Sequence, residues 1–393
     1  MKIVGVVSEF NPFHKGHEYL LSRLRERGAD IVICVMSGDF VQRGEPAFAD
    51  KYTRAAMAVE CGADIVLELP YPYSSAGAEY FASAAVKILS AVGVNTLGFG
   101  SECGDIEKLK NAAERVADKK FSEEYKRLCR EGLGGAAAYF KAYKEIYGEE
   151  CPGGSNDILG IEYIKASKAL GARLAFETVT RKGAAYTSRE LPEDTFASAS
   201  ALRGKMLDEE NLDACRDYIP EAAMKHLEVA AEKGTAFADL KNLKRAVLSA
   251  LRLSTPESRA DIAEMTDGLG SRLAKFAVEA TSIDELVSFT SAKNYTDTRI
   301  RRAILFYMTG VKKSDLKAAP TYSTLLAANS RGLDYLSANR REITLPIISK
   351  PADGKKLGRQ FELSSRADAL WTLALPKPAS ADILVKKSPE IFK

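Results

Sequence analysis

Five short apolar runs alternate with helical patterns in the first half of the chain, and this alternation constrains the fold more than any other feature. The runs are rich in Val, Ile and Leu, as is typical of parallel strands covered on both faces. We predict strands at residues 2–7, 30–36, 64–70, 94–99 and 173–179. Among the intervening helices, Asp50 is a predicted N-cap, and Gly62 and Gly93 are predicted C-caps. The sequence therefore predicts an α/β fold on a doubly wound, parallel, five-stranded sheet of the Rossmann-like type.

Helical patterns dominate after about residue 209. We predict helices at residues 222–234, 238–253, 256–265, 268–280, 282–290 and 297–310. Further on, residues 322–338 are predicted to be a helix, 343–348 a strand and 368–375 a short helix. We therefore divide the chain into a catalytic domain, residues 1–208, and a mainly helical region, residues 209–393.

The composition is that of a soluble globular protein of 393 residues. The N-terminal apolar run is too short for a signal peptide, and no apolar stretch is long enough to span a membrane. The six cysteines include no C-x-x-C pair, which favours a reduced, cytoplasmic protein without a zinc site. A net charge of +3 is too small to indicate nucleic-acid binding by itself, so any basic surface must be local.

The loop after the first strand reads Phe13-His14-Lys15-Gly16-His17 and leads into a helical pattern. Free N–H groups and the dipole at a helix start favour a bound anion, and a glycine leaves room beside the backbone. Two imidazoles can donate to oxygens that gain charge in a transition state. Since two of the chain's three histidines lie here, we prefer this interpretation to two ordinary loop histidines. His14 and His17 are therefore candidate catalytic residues for chemistry at the α-phosphate of ATP.

A second phosphate-binding pattern is Ser198-Ala199-Ser200-Ala201-Leu202-Arg203. Hydroxyl groups at a helix start, followed one turn later by Arg, can hold β- and γ-phosphates. A capped surface helix with a solvated Arg is the alternative. Paired with the histidine loop, the pattern predicts that Ser198 and Ser200 bind ATP and that Arg203 takes part in catalysis.

Polar residues also follow the other predicted strands. Ser37, Gly38 and Asp39 begin a Gly-rich loop, predicted to be the wall of the acceptor-substrate site, with a plain surface loop as the alternative. Gly100 could let the backbone approach adenosine, or could simply turn the chain. Asn156 is a predicted helix N-cap, and Arg181 could reach phosphate or stay exposed.

Cations surround an aromatic residue in the cationic segment, residues 293–302. Such a mixture can contact RNA phosphates and stack on a base, although a solvated helix face is the common alternative. At helical spacing Arg299 and Arg302 share one face, while Arg301 points elsewhere. The predicted tRNA-binding residues are Lys293, Tyr295, Arg299, Arg301 and Arg302.

The two phosphate-binding patterns together resemble the HIGH-type nucleotidylyltransferase superfamily. The segments 8–17, 36–46, 99–102, 156–160 and 293–302 resemble the bacterial tRNA(Met) cytidine acetate ligase family. That resemblance implies activation of acetate by ATP as acetyl-adenylate and acetylation of the wobble cytidine of elongator tRNA(Met) to N4-acetylcytidine. It also implies ATP contacts from residues 7–20, Gly100, Asn156 and Arg181. From the first range we take Val7, Ser8, Glu9, Phe10, Asn11, Pro12, Phe13, Lys15 and Gly16.

The implied partners are therefore ATP, acetate and tRNA, with no DNA and no membrane. No carboxylate cluster marks a dedicated metal site, so we expect Mg²⁺ to arrive with ATP. Two other functions stay open at this point. One is a small-molecule nucleotidylyltransferase that makes a cofactor, and the other is a non-catalytic, nucleotide-sensing RNA-binding protein.

Overall fold

The five predicted parallel strands are present and form part of a larger sheet. A computed structural model describes residues 1–181 and 196–393. In these residues the sheet has eight strands in the order β5-β4-β1-β2-β3-β6-β7, with β8 paired to β6. The strands are β1 (Ile3–Ser8), β2 (Ile31–Ser37), β3 (Ile65–Leu69), β4 (Thr96–Ser101), β5 (Ala175–Thr180), β6 (Ser323–Asn329), β7 (Ile347–Ile348) and β8 (Glu390–Phe392).

The parallel part of the sheet reverses its strand order at β1. This strand lies between β2 and β4, and all four pairings from β5 to β3 are parallel. In open α/β sheets a ligand binds at the carboxyl ends of the strands where the order reverses. The predicted doubly wound fold is confirmed, and the crevice between the ends of β1 and β4 is the expected place for a site.

Helices cover both faces of the sheet and form most of the second half of the described chain. They are α1 (Lys15–Glu26), α2 (Lys51–Glu60), α3 (Ala78–Ala91), α4 (Ile106–Val116), α5 (Lys119–Arg130), α6 (Gly135–Tyr147), α7 (Ser155–Ala169), α8 (Ala199–Glu209), α9 (Glu221–Glu232), α10 (Lys244–Arg252), α11 (Pro256–Ala260), α12 (Leu269–Glu279), α13 (Ile283–Thr290), α14 (Asp297–Thr309), α15 (Lys313–Lys317), α16 (Ser330–Ala338), α17 (Pro351–Gly354), α18 (Arg359–Thr372) and α19 (Asp382–Val385). No helix of the described residues is both long enough and apolar enough to cross a membrane.

Alternate side chains of the strands enter two different hydrophobic clusters. Ile33 and Val35 of β2 pack in the cluster that includes α3, whereas Cys34 and Met36 pack in the cluster that includes α1 and α2. A third cluster is centred on the helices from α10 to α14 and on α18. Trp371 of α18 donates its Nε1–H to the carbonyl of Ala47 at 2.8 Å. The second half of the chain is therefore fastened to the loop that follows β2.

The region after residue 209 contains a strand that the sequence analysis missed. Residues 322–338 were predicted as one helix, but Ser323–Asn329 is strand β6, and the helix begins only at Ser330. Leu and Ala favour helix locally, and here pairing with β3 overrides that preference. The antiparallel ladder places Ile65 opposite Ala328 and hydrogen-bonds an edge of β3 that would otherwise be open. The division at residue 208 stays a prediction, since later residues return to the first sheet.

Two other predictions near the C-terminus need smaller corrections. The predicted strand at residues 343–348 is reduced to β7, because only Ile347 and Ile348 pair with β6. The predicted short helix at residues 368–375 is the second part of α18, which begins nine residues earlier, at Arg359.

Candidate active site

A cavity lies at the carboxyl ends of β1, β4 and β5, where the strand order reverses. The loop after β1 and the start of α1 form one side, and β4, α7 and the segment that enters α8 form the others. Of the predicted ATP-binding and catalytic residues, the cavity is lined by Val7, Ser8, Glu9, Phe10, Asn11, His14, Gly16, His17, Gly100, Asn156 and Arg181. Residues from four separate segments of the sequence therefore meet at one place.

Both histidines accept backbone hydrogen bonds at the start of α1. His14 is the N-cap, and its Nδ1 accepts the N–H of Gly16 at 3.0 Å. The Nδ1 of His17 accepts the N–H of His14 at 3.2 Å, and the two ring centroids are 3.9 Å apart. An Nδ1 atom that accepts a hydrogen bond carries no proton, so each neutral ring carries its proton on Nε2. The pair therefore offers two Nε2–H donors at a helix N-terminus.

The surroundings keep this pair uncharged. Burial, together with the nearby positive charges of Arg181 and Arg203, lowers the pKa of His14 to about 3. Burial also holds the pKa of His17 well below its ordinary value, with contributions from His14 and Arg181. Neutral imidazoles can donate to a phosphate without adding charge to the free site.

The loop before His14 is fixed by packing and by one side-chain hydrogen bond. Phe10 has φ of +44°, a left-handed conformation that is uncommon for a bulky residue. Its buried ring packs against Phe13 and His17, with centroid separations of 4.9 and 5.0 Å. Asn11 accepts the N–H of Phe48 at 2.7 Å. Pro12, Phe13 and Lys15 of this loop do not line the cavity in the described part of the chain, and the first two are buried.

Two buried polar atoms of the loop have no protein partner among residues 1–181 and 196–393. They are Oγ of Ser8 and Nδ2 of Asn11, and both residues line the cavity. A buried polar atom without a hydrogen bond is costly, so a ligand that satisfies these atoms gains binding energy. The Nδ2 group is a donor, which suits a carboxylate or phosphate oxygen.

Asn156 does not cap a helix as predicted. Helix α7 begins at Ser155 with Gly154 as N-cap, because the carboxylate of Glu102 takes the free N–H groups of Asn156 and Asp157. The side-chain amide of Asn156 also donates to Glu102, at 2.7 Å. Asn156 lines the cavity from this position.

Gly100 and Arg181 come together where β4 and β5 end. A Cβ atom added to Gly100 would lie 3.4 Å from Cγ of Arg181, so the backbone of β4 packs closely against the Arg181 side chain here. The N–H of Arg181 continues the sheet by donating to the carbonyl of Ser101 at 3.0 Å. Residues 182–195, which follow Arg181, lie outside the described residues.

The predicted Ser198–Arg203 pattern forms a helix start beside the cavity. Ser198 is the N-cap of α8 and accepts the N–H of Ala201 at 3.1 Å. Arg203 donates to the carbonyl of Asn11 at 2.6 Å and to Oγ of Ser200 at 3.4 Å. In the described chain, Ser198, Ser200 and Arg203 are not among the lining residues, whereas the neighbouring Ala197 and Ala199 are. Arg203 therefore supports the loop of Asn11 from the side.

The predicted wall of the acceptor-substrate site lies at the start of the loop after β2 and is largely buried. Ser37 and Asp39 are 0% and 2% exposed, and a Cβ atom on Gly38 would lie 2.7 Å from Oε1 of Glu68. None of the three lines the cavity in the described residues, but Gln42 of the same loop does. Gln42 was missed because nothing in the sequence separates it from its polar neighbours.

Beneath this loop lies a buried charge cluster, which we call the Lys51 cluster: Lys51, Asp39, Glu68 and Asp368. The ammonium group of Lys51 is 2.8 Å from carboxylate oxygens of both Glu68 and Asp368, and 3.9 Å from Asp39. Burial raises the pKa of Asp39 and of Asp368, while the three carboxylates hold the pKa of Lys51 well above its ordinary range. The cluster joins the loop after β2 to α18.

Leu159 and Tyr163 are lining residues that the sequence analysis missed. They follow Asn156 at spacings of three and seven residues, so all three lie on one face of α7. That periodic spacing from a predicted site residue was the signal available in the sequence.

The predicted tRNA-binding arginines are engaged with carboxylates. The Nε atoms of Arg299 and Arg302 lie 3.3 and 3.1 Å from Glu264, which agrees with the prediction that they share a face. Arg301 points elsewhere, to Glu45 at 3.1 Å. Tyr295 donates to the carbonyl of Asp267 and lies under the guanidinium of Arg299.

Lys293 is exposed, and its carbonyl packs against the start of α6 at Gly134. The other end of the cationic segment approaches the loop after β2. A Cβ atom on Gly44 would lie 2.5 Å from the backbone nitrogen of Arg302. The segment therefore adjoins the loop that was predicted to meet the acceptor.

The fold and the paired imidazoles point to a class of enzymes, and comparison with known proteins agrees. The family model described as HIGH Nucleotidyl Transferase matches residues 1–384. A tRNA(Met) cytidine acetate ligase of Caldanaerobacter subterraneus subsp. tengcongensis is 37% identical over 390 residues, which is 95% of this chain and 96% of that protein. Another, from Lysinibacillus sphaericus, is 34% identical over 399 residues, with 98% of each chain covered.

Solved structures give the same result. The crystal structure of apo Thermotoga maritima TmcAL has a TM-score of 0.93 and 31% identity, and the match covers 100% of both chains. The same protein bound with alpha-thio ATP has a TM-score of 0.91. By fold and site the chain falls in the class of HIGH nucleotidyl transferases. Within that class, it belongs to the tRNA(Met) cytidine acetate ligase family.

Proposed function

We propose that this chain activates acetate with ATP and transfers the acetyl group to the wobble cytidine of elongator tRNA(Met). The observation that carries the proposal is the pair of neutral imidazoles, His14 and His17, at the N-terminus of α1. Full-length similarity to tRNA(Met) cytidine acetate ligases supports the choice of substrates. We also propose a cytoplasmic location, which a tRNA substrate supports.

In the first step an acetate oxygen attacks the α-phosphorus of ATP, acetyl-adenylate forms and pyrophosphate leaves. The Nε2–H groups of His14 and His17 donate to the oxygens that gain charge. Gly100 and Arg181, at the ends of β4 and β5, and Asn156, at the start of α7, take the nucleoside and phosphate contacts. The unpartnered Nδ2 of Asn11 is a suitable donor for the acetate or for a phosphate oxygen.

The leaving pyrophosphate is directed to the start of α8. There Ser198 and Ser200 lie at the helix N-terminus, which favours anions. Arg203 supplies positive charge nearby. Its guanidinium lies 3.6 Å from the carboxylate of Glu45, so it must leave Glu45 before it can bind pyrophosphate directly.

We propose that Mg²⁺ enters on the phosphates of ATP. The described residues contain no group of three or more His, Cys, Asp or Glu side chains that could hold a metal ion. The oxygens of the β- and γ-phosphates are hard ligands that suit Mg²⁺. The ion would neutralise charge on the leaving pyrophosphate.

In the second step the cytidine leaves its stack in the anticodon loop and reaches acetyl-adenylate. A base in a single-stranded loop is the easiest to extrude. The region 209–393, including the cationic segment, is proposed to hold the tRNA while residues 1–208 perform the chemistry. The contact between Gly44 and Arg302 places the segment beside the loop after β2.

Exchange of labelled pyrophosphate into ATP tests the first step with a panel of small acids, with and without tRNA. We expect exchange with acetate and, when tRNA(Met) is added, acetylation of one cytidine by mass spectrometry of nuclease fragments. No exchange with acetate, together with turnover of a mononucleotide or phosphopantetheine, would instead indicate cofactor synthesis. ATP binding without exchange with any acid would indicate a nucleotide sensor.

A further inference from the structure

One carboxylate lines the cavity among the residues that the structure describes, and it belongs to Glu9. The other ionisable lining residues are His14, His17, Tyr19, Tyr163 and Arg181. Phenol and guanidinium groups are protonated at neutral pH and cannot accept a proton there. The two imidazoles are neutral, but each Nδ1 is occupied by a backbone N–H, which leaves only protonated Nε2 atoms.

Neighbouring carboxylates outside the lining set are already engaged. Asp157 accepts the hydroxyl of Ser101 and the N–H of Cys103, at 2.5 and 3.1 Å. Glu102 holds the start of α7, and Glu45 lies between Arg203 and Arg301. Glu9 is therefore the described carboxylate that can act inside the cavity.

Glu9 is held between the nucleotide loop and the loop predicted to meet the acceptor. Its side-chain Oε1 accepts a hydrogen bond from the backbone N–H of Gln42 at 3.0 Å. Its backbone carbonyl accepts a hydrogen bond from Nη1 of Arg54 at 2.6 Å. Arg54 is fully buried and also donates to the carbonyl oxygens of Ser37 and Gly38. Within residues 1–181 and 196–393, no donor is bonded to Oε2 of Glu9, so this oxygen can accept a proton.

We propose that Glu9 is the general base of the acetyl-transfer step, taking a proton from the exocyclic N4 amine of cytidine. This inference rests on the proposed function. The N4 nitrogen attacks the carbonyl carbon of acetyl-adenylate, and a carbon–nitrogen bond forms. The carbon–oxygen bond to the phosphate breaks, and AMP leaves with its electrons. The proton lost by N4 goes to Oε2 of Glu9 and then to solvent, so no oxidant or further reactant is required.

The charges around Glu9 suit this role. Burial raises the pKa of Glu9 and Glu45 raises it further, while Arg203, Arg43 and the Gln42 N–H lower it. Arg54 and Tyr163 also interact with Glu9, and burial keeps the Tyr163 phenol protonated by raising its pKa. A carboxylate whose pKa is raised is, in its ionised form, a stronger base than an ordinary carboxylate.

The two half-reactions separate this role from ATP binding. Glu9→Gln keeps the size of the side chain but removes the basic oxygen. We expect single-turnover transfer from preformed acetyl-adenylate to tRNA to fall by about 10²- to 10⁴-fold. Acetate-dependent pyrophosphate exchange, which also reports any ATP contact of Glu9, should fall by a smaller factor than transfer, because no proton is taken from acetate in that step. Glu26→Gln, an exposed carboxylate on α1, is the matched control for loss of one charge.

The pH profile supplies a second readout that a structural role would not change. In the unmodified protein the rate of transfer should rise about tenfold per pH unit below the pKa of Glu9 and then level off. Glu9→Gln should lack this rise. Glu9→Asp keeps a carboxylate, so its rate of transfer should still rise with pH but level off at a lower value. If Glu9→Gln does not unfold cooperatively, the test uses Glu9→Asp instead.

Three outcomes overturn this inference alone, and a fourth overturns the proposed function as well. Transfer by Glu9→Gln within threefold of the unmodified rate would show that no base is lost. Parallel losses of exchange and transfer would assign Glu9 to ATP binding instead. A rate of transfer that is independent of pH in Glu9→Asp would also exclude a carboxylate base. Absence of acetate-dependent exchange in the unmodified protein would overturn the proposed function itself, and with it this inference.

Discussion

The backbone N–H of His14 donates to Nδ1 of His17 across 3.2 Å. This bond decides which nitrogen of His17 is protonated, because the ring keeps its proton on Nε2 when Nδ1 accepts. It also satisfies one of the N–H groups left free at the start of α1. One side chain therefore both caps the helix and directs a donor to the cavity.

Substitutions at His17 can separate these two roles. His17→Asn places an oxygen near the position of Nδ1 and keeps the cap, but it removes the Nε2 donor. We expect its acetate-dependent exchange rate to fall by about 10²- to 10³-fold, as for His17→Ala or His14→Ala, the usual cost of losing one transition-state donor. Its free energy of unfolding should stay near the unmodified value, whereas His17→Ala should lose about 1 kcal/mol.

His17→Gln is the complementary variant, because its amide nitrogen can reach the former position of Nε2. We expect it to recover part of the exchange rate while it loses the cap. Equal exchange rates in the Asn and Gln variants would show that donation from the position of Nε2 is not what His17 contributes.

Acid sensitivity of the fold should follow from the buried, neutral His14. Its pKa is about 3 in the folded protein, below the ordinary value of 6.5. Between these two pH values His14 is therefore protonated more often in the unfolded chain than in the folded protein. The stabilisation is complete above pH 6.5 and is lost as the pH falls towards 3. Each pH unit in this window should cost up to about 1.4 kcal/mol. Urea unfolding at pH 7, 6 and 5 measures this slope.

The matched variant for this measurement is His14→Asn, which keeps an N-cap acceptor without a titrating ring. The difference in unfolding free energy between the two proteins should fall with decreasing pH. Titratable groups that do not interact with His14 contribute equally to both proteins and cancel. A difference that stays constant from pH 7 to 5 would contradict a buried neutral His14.

The Lys51 cluster should be the most sensitive electrostatic feature of the described fold. Lys51→Met leaves Glu68 and Asp368 buried without their cation, so we expect a loss of about 3–5 kcal/mol in unfolding free energy. Chemical denaturation at pH 7 measures the loss. The control is Lys225→Met, which breaks a 2.9 Å pair that is mostly exposed and should cost less than about 1 kcal/mol. A loss in Lys51→Met no larger than in the control would mean that the cluster contributes no net stability.

Local patterns were sufficient to predict the frame of the site. The apolar run of β1, the loop of His14 and the helix after it are adjacent in sequence, and their pattern alone indicates a strand, a loop and a helix start. The same holds for the N-cap Asp50, which accepts the N–H groups of Tyr52 and Thr53. Each of these features is determined by residues within one or two turns.

Long-range pairing was what the sequence did not reveal. Strand β6 forms because its backbone completes the open edge of β3, and both of its faces are buried, which removes the alternation that marks a strand. Arg203 reaches the carbonyl of Asn11, 192 residues away in sequence. Such a contact depends on how β1 and α8 pack together, and nothing near Arg203 in the sequence predicts it.

The cationic segment supplies the last test, which concerns tRNA. Arg299 and Arg302 share Glu264, so a phosphate must compete with that carboxylate. If both arginines bind phosphates, Arg299→Ala with Arg302→Ala should weaken tRNA binding and reduce the log–log salt slope by about 0.7–0.9 for each contact. Acetate-dependent exchange without tRNA should change less than tRNA binding. Filter binding at several salt concentrations measures the slope.

Glu264→Gln separates phosphate binding from a structural role of the same arginines. It removes the competing charge, so it should strengthen tRNA binding if Arg299 and Arg302 contact phosphates. Lys225→Ala with Lys386→Ala removes the same charge from two exposed positions outside the cationic segment and should leave the slope nearly unchanged. If Glu264→Gln instead lowers the melting temperature and leaves tRNA affinity unchanged, the two arginines stabilise the packing of α14 and the RNA surface lies elsewhere.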